Sequence, residues 1–226
     1  AVEIGNPFNT STADSSVIMN ASEIAIAAGA NTNKILNLVK EIKSENQNYT
    51  LACMGYLNSI FGYGIKKFAK ECLADSCIIV DSSLDCPEEK ELFEELKKIG
   101  KSAIVKIVTP QNDESYIKAC LDKTLSWIYV TGFSGITGSK KYNIDYIKKS
   151  VSLIRKNSKN AFIGCGFGIR TRDDVAEVAK YTDAVICGTA IVDLIEKESK
   201  KSISGHDLAL KIGNYVKDLS KGLSKK

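Results

Sequence analysis

Gly164-Cys165-Gly166-Phe167-Gly168-Ile169, followed by Ala184-Val185-Ile186-Cys187-Gly188-Thr189-Ala190, is the stretch that decides the fold. Each piece is a short apolar run that ends in glycine, and each leads into a helix-like segment. A parallel βα barrel builds a phosphate site in this way: N–H groups after two neighbouring strands, with the N-terminus of a short helix, converge on one anion. Glycine serves there because the backbone must approach the phosphate without a Cβ between them. A lone glycine pair discriminates little, whereas two in tandem, each after a strand-like run, narrow the field to phosphate-binding barrels.

Working outward, apolar runs alternate with amphipathic segments along the whole chain. Strands are expected over Val2–Ile4, Tyr49–Met54, Cys77–Val80, Ala103–Ile107, Trp127–Val130, Ala161–Cys165 and Ala184–Cys187. Helices are expected over Ser16–Ala28, Asn33–Ser44, Gly64–Leu73, Pro87–Ile99, Asp113–Leu121, Asn143–Arg155, Arg172–Lys180, Ile191–Glu198 and His206–Leu223. Short strands rich in Val, Ile and Ala, separated by helices, imply a parallel sheet covered on both faces. The expectation is one α/β domain over 1–226, a TIM-type (β/α)8 barrel with seven of its eight βα units in this chain. The absent unit would precede Ala1, and a chain that truly began there would leave strand edges unpaired and be of low stability. An open doubly wound sheet is the competing architecture.

The 226 residues suffice for one sizeable core. A net charge of +4, with Lys217, Lys221, Lys225 and Lys226 near the C-terminus, reads as a solvated helix face. No aromatic-interleaved basic run points to nucleic acid, and no apolar stretch reaches membrane-spanning length. The seven cysteines form no CxxC pair, and the single histidine, His206, has no ligand partners at metal spacing, so no metal site is expected. An odd cysteine count without a signal peptide favours the cytoplasm.

In such a barrel the chemistry lies at the C-terminal ends of the strands. Polar residues there are Glu3 in the first strand, Asp14 in its loop, Tyr56 and Asn58 after the second, Asp81 after the third, and Tyr129 in the fifth with Thr137 in its loop. Strand interiors rarely tolerate an unpaired carboxylate, which favours a functional role for Glu3. On pattern alone, Asp14 reads as the N-cap of the helix from Ser16. The segment Gly132-Phe133-Ser134-Gly135-Ile136-Thr137-Gly138-Ser139 reads either as a flexible connection or as an active-site lid.

Glu3-Ile4-Gly5-Asn6-Pro7-Phe8 with Ala13-Asp14 resembles the "ELGxPFSDPxADG" segment of the tryptophan synthase α subunit family. Met54-Gly55-Tyr56-Leu57-Asn58 resembles its "MxYxNP", Ile79-Val80-Asp81 its "PDLP" strand end, and Tyr129 through Gly138 its "YxxSxxGVTG". Gly166-Phe167-Gly168-Ile169 and Gly188-Thr189-Ala190-Ile191-Val192 resemble "GFGI" and "GSAIV". The matches fall in one order over nearly the whole chain.

The resemblance implies a lyase that cleaves indole-3-glycerol phosphate to indole and glyceraldehyde 3-phosphate by a retro-aldol reaction. It makes Glu3 the proton relay, Asp14 the partner of the indole N–H, and Tyr129 their neighbour. Tyr56 is placed with the substrate, Thr137 locks the lid, and Gly138, Gly168, Gly188 and Thr189 hold the phosphate. No cofactor is implied in this chain; pyridoxal phosphate belongs to a β subunit partner in an α2β2 complex. Departures from the family pattern are Asn9-Thr10-Ser11, Ser15-Ser16, Ser59 and Ser82-Ser83, in the loops that meet substrate and partner. Other readings are a degenerate, non-catalytic α-like subunit, a stand-alone lyase that releases indole, and another phosphate-binding barrel such as an isomerase.

Overall fold

Strand β1 (Val2–Gly5) opens an alternation of strands and helices: α1 (Ser16–Ala27), α2 (Thr32–Glu45), β2 (Leu51–Gly55), α3 (Leu57–Tyr63), α4 (Ile65–Glu71), β3 (Ser76–Ile79), α5 (Pro87–Ile99), β4 (Ala103–Val108), α6 (Glu114–Lys123), β5 (Trp127–Thr131), α7 (Ile144–Asn157), β6 (Phe162–Gly166), α8 (Arg172–Val178), β7 (Ala184–Val185), α9 (Thr189–Ser199) and α10 (Gly205–Ser220). The computed structural model describes residues 1–81, 83–100, 102–124, 127–133 and 142–223.

The strand order is β1-β2-β3-β4-β5-β6-β7, so each strand lies beside its sequence neighbour. Every described pairing is parallel, with Glu3 opposite Ala52, Cys53 opposite Cys77, Ile78 opposite Val105 and Cys165 opposite Val185. Parallel neighbours joined through helices are the repeating βα unit expected of a TIM-type α/β fold. All seven expected strands are present within a few residues of their expected bounds.

Two compact units divide the chain. The first comprises Ala1–Ala13, Ser22–Ile107 and Lys118–Ile128; the second comprises Asp14–Ala21, Val108–Ile117 and Tyr129–Lys226. In the first, Leu36 and Val39 of α2, Phe68 and Ala69 of α4, and Leu92 and Leu96 of α5 close over Cys53, Cys77 and Ile104 of the strands. Each fully buried Leu, Ile or Phe contributes about 1.5–3 kcal/mol. An ion pair between Lys106 of β4 and Glu89 of α5 is buried there. In the second, Ile147 and Ile154 of α7, Val175 and Val178 of α8, and Ile163 and Cys165 of β6 are buried. Gly222, just past α10, sits where a Cβ would come within 2.3 Å of the Arg172 carbonyl oxygen.

Local signals set several helix ends. The Asn31 side chain accepts from Lys34 N at the start of α2 (3.1 Å), and Asn143 accepts from Asp145 N at the start of α7 (2.9 Å). Helix α5 begins at Pro87 and stops at left-handed Gly100. Thr171 and Asp174 form a reciprocal capping box on α8.

Two local expectations are corrected. At α1, Ser15 rather than Asp14 takes the N-cap position, its Oγ accepting from Ile18 N at 3.4 Å. Helix α3 has no counterpart in the pattern reading, which began a helix only at Gly64. Its first N–H, on Leu57, is satisfied by the Asp81 carboxylate at 2.7 Å, a residue far along the chain that leaves no local mark. Gly64, at φ +102°, then breaks α3 from α4.

Candidate functional site

The loops after β6 and β7 meet within the second unit. Beyond the β6–β7 pairing, Ile186 N donates to Cys165 O at 2.7 Å, and the Cys187 thiol donates to Ile169 O at 3.2 Å. Gly188 and Thr189 therefore begin one residue from a direct link to the Gly168–Ile169 backbone. Phe167 and Gly168 are both left-handed, at φ +79° and +77°. That conformation is routine for glycine and costs a side-chain-bearing residue about 1–2 kcal/mol.

Among the described residues, the N–H groups of Gly168, Ile169, Thr189 and Ala190 make no hydrogen bond. Helix α9 starts at Thr189 with no side-chain cap. The first N–H groups of a helix need a partner and carry the positive end of its dipole. Uncapped helix start and unpartnered loop amides, on two linked loops, suit an anion. Gly168, Gly188 and Thr189 thus lie on these two linked loops, while Thr137 and Gly138 lie outside the described residues.

Tyr129 belongs to the second unit and is buried, 7% exposed. The Phe167 ring meets it edge-on, with centroids 5.9 Å apart. A Cβ on Gly166 would come within 2.1 Å of the Tyr129 hydroxyl oxygen. Glycine at 166 is thus required by close approach of the tyrosine, a role distinct from that of Gly168. Asp14 is also in the second unit and is buried at 6% exposure.

The remaining candidates belong to the first unit. Glu3 is exposed on β1, opposite Ala52 of β2. It is one of the charges, after burial and Cys72, that push the Cys53 thiol upward. Tyr56 lies between β2 and α3 and is buried; its hydroxyl accepts from Ala13 N at 3.0 Å, and its ring stacks on Phe8 at 5.0 Å. Its observed work is to tie down the loop that leads to Asp14.

Three contributors escaped the sequence reading. Asn6, 6% exposed, donates through Nδ2 to Thr32 Oγ1 (3.1 Å) and Ser59 Oγ (2.9 Å). Ser59 in turn donates to Tyr56 O at 2.7 Å, so a residue that departs from the family pattern is built into the loop. Cys187 and Tyr215 bind the loop after β6: the Tyr215 hydroxyl donates to Arg170 O. Burial raises both groups, Tyr215 to about 12. Asparagine at a strand end is a signal that could have been read; a thiol and a tyrosine far apart in sequence offer none.

Among the described residues no group of three or more His, Cys, Asp or Glu side chains could hold a metal ion, and no helix is long and apolar enough to cross a membrane.

A family model described as tryptophan synthase alpha chain matches residues 1–219. A solved structure from Aquifex aeolicus VF5 is similar at 27% identity and a TM-score of 0.83, with 99% of this chain and 81% of that one covered. Tryptophan synthase subunit alpha from Legionella pneumophila str. Paris is similar at 24% identity and a TM-score of 0.84, with 98% and 80% covered. Tryptophan synthase from Mycobacterium tuberculosis is similar at 21% identity and a TM-score of 0.83, with 99% and 81% covered. The latter two likenesses bear on the fold alone, and that fold is the TIM-type α/β barrel.

Proposed function

This chain belongs to the tryptophan synthase alpha chain family, and on that premise we propose that it cleaves indole-3-glycerol phosphate to indole and glyceraldehyde 3-phosphate. Its place in tryptophan biosynthesis as an α-type lyase subunit follows from the family. The finer reading is that this particular chain is catalytic, as a single phosphate-binding barrel domain over 1–226.

The observation that carries it is the set of unpartnered amides on the linked loops of Gly168–Ile169 and Thr189–Ala190. They suit a phosphate monoester, and Gly188 leaves the approach open, because no atom lies within 4 Å of where its Cβ would stand. The family resemblance adds Gly138 to the phosphate set and gives Thr137 the locking of the lid. With the phosphate fixed, cleavage needs two proton movements: one onto indole C3, one off the glycerol hydroxyl whose carbon becomes the aldehyde. The bond between indole C3 and that carbon breaks, its electron pair returning to the ring. Glu3 relays the protons as general acid and base. Asp14 accepts the indole N–H and stabilises the positive charge that develops on the ring. By the family resemblance Tyr129 is a further catalytic residue, and Tyr56 serves the substrate.

The chain itself carries no cofactor in this scheme. Its partner is a tryptophan synthase β subunit, in an α2β2 complex, holding pyridoxal phosphate, and the assembly works in the cytoplasm. A second reading is favoured by the exposure of Glu3, since an exposed carboxylate lacks the desolvation that tunes a general acid. In that reading the chain is a non-catalytic α-like subunit that binds or regulates β.

Indole release from indole-3-glycerol phosphate, measured with and without a β subunit, separates these. Activity abolished by Glu3→Gln supports the lyase; no activity from folded protein in either condition supports the non-catalytic subunit.

A further inference from the structure

We infer that Cys187 and Tyr215 are positioning residues: they clamp the backbone of residues 169–171 from one side, while Asp174 holds it from the other, and so fix the amides that bind the substrate phosphate. The inference rests on the phosphate reading above.

A trans peptide plane carries its C=O and the following N–H on opposite edges. Two consecutive planes follow the left-handed pair Phe167–Gly168. In the first, Ile169 O accepts from the Cys187 thiol at 3.2 Å, and Arg170 N donates to Asp174 Oδ2 at 3.0 Å. In the second, Arg170 O accepts from the Tyr215 hydroxyl, and Thr171 N donates to the same Asp174 oxygen at 2.9 Å. Both planes are therefore held at both edges, and neither can rotate without breaking two bonds.

The clamp joins three elements. Cys187 leads directly into Gly188 and α9, Tyr215 projects from α10, and Asp174 sits in the first turn of α8. The Arg170 side chain adds a fourth tie, to Asp193 of α9 at 2.8 Å. Immediately before the clamped planes stand the N–H groups of Gly168 and Ile169, which have no partner among the described residues. Phe167 is held in a conformation that a phenylalanine disfavours. Such a segment keeps its shape only when its surroundings over-determine it, and the four hydrogen bonds do so. Cys187 has a further consequence: its thiol ties the loop carrying Gly168 to the start of α9, and so links the two halves of the amide set.

The test uses the full chain and sn-glycerol 3-phosphate as probe, with binding followed by calorimetry. Tyr215→Phe and Cys187→Ala each remove one neutral hydrogen bond to the loop, together with the bond that the two side chains make to each other, and each weakens binding by about three- to tenfold. Cys187→Ser keeps a donor at the same place and restores binding to within about twofold of the wild type. In turnover, Tyr215→Phe raises KM for indole-3-glycerol phosphate and leaves kcat unchanged, a split that general destabilisation does not produce. Should Tyr215→Phe fail to fold, the Cys187→Ala and Cys187→Ser pair decides alone. Wild-type affinity in both Tyr215→Phe and Cys187→Ala, or equal loss in Cys187→Ala and Cys187→Ser, overturns the clamp and leaves the phosphate reading standing. A wild-type chain that does not bind the probe overturns both.

Discussion

Between Gly166 and Ala190 the candidate anion site is made of backbone: four N–H groups on two loops, shaped by glycines and two left-handed residues. Between Asn6 and Ser59 the loops after β1 and β2 are shaped by side chains: Tyr56 holds Ala13, and Asn6 bridges Thr32 and Ser59. The contrast bears on where the sequence has drifted. A backbone site tolerates any residue whose side chain points away, yet fixes its glycines rigidly, because a Cβ is either compatible with the approach or is not. A side-chain site can change partners while keeping its shape. The departures from the family pattern at Asn9-Thr10-Ser11, Ser15-Ser16, Ser59 and Ser82-Ser83 lie outside the backbone-built loops; within them the glycines are kept, and Thr189 stands where the family pattern has Ser.

The sharpest test of that division is Glu3→Gln. If the proposed lyase is correct, loss of the relay lowers kcat by about 10²–10⁴, because an amide can neither take up nor release the proton. Affinity for sn-glycerol 3-phosphate stays at the wild-type value, since the phosphate end is held by amides elsewhere. Parallel loss of turnover and phosphate affinity in steady-state and binding assays would erase the division.

Gly166→Ala probes the backbone side. Its Cβ would stand 2.1 Å from the Tyr129 hydroxyl oxygen and 2.8 Å from the ring carbon that bears it. Tyr129 is buried against Phe167, so the ring must move as a whole. Overpacking of this kind costs about 1–3 kcal/mol, read as a lowered midpoint in urea or thermal unfolding. An unchanged midpoint would mean that the ring has room to retreat and that glycine at 166 is dispensable.

How much of this was legible follows the same division. Val, Ile and Ala runs between amphipathic segments give the strands, because strands buried on both faces leave no polar side. The tandem glycines mark the candidate anion loops, because close backbone approach excludes other residues. Glu3 stands out as a carboxylate within a strand, whereas Asp14 stands out only through the family motif, because isolated loop carboxylates are too common to signal chemistry. Helix α3 was hidden because its start is satisfied by Asp81 from the end of the next strand. Ser15 displaced Asp14 as the cap of α1, although both residue types cap well. Cys187 and Tyr215 were illegible, since the bond from Tyr215 to Arg170 spans 45 residues and a tyrosine on an amphipathic helix reads as core.

Tyr56→Phe moves to the side-chain loops and a smaller effect. It keeps the ring on Phe8 and removes only the oxygen that accepts from Ala13 N. Ala13 is half-buried, so its N–H regains water in part, and the expected cost is about 1 kcal/mol. Amide exchange at Ala13 should quicken while that at Arg170 and Thr171 does not. Equal quickening at both would show that the two sets of loops are not independent.

The smallest effect is expected where the chain departs from its family and has compensated. Ser59→Pro restores the family residue in the first turn of α3, a position where proline is tolerated. It removes the Ser59 N–H that donates to Tyr56 O at 3.1 Å, the hydroxyl that donates to the same oxygen, and the acceptor for Asn6 Nδ2. Proline regains part of the loss by stiffening the unfolded chain, leaving a net destabilisation of about 0.5–1 kcal/mol in chemical unfolding. Asn6→Ala in the wild type deletes both Asn6 bonds. Made in the Ser59→Pro background, it has only the Thr32 bond left to delete. The two changes should therefore be less than additive, by about 0.5 kcal/mol or more for residues in direct contact. Strict additivity would mean that Ser59 drifted without being taken up by Asn6, and that the side-chain loops owe their shape to Tyr56 alone.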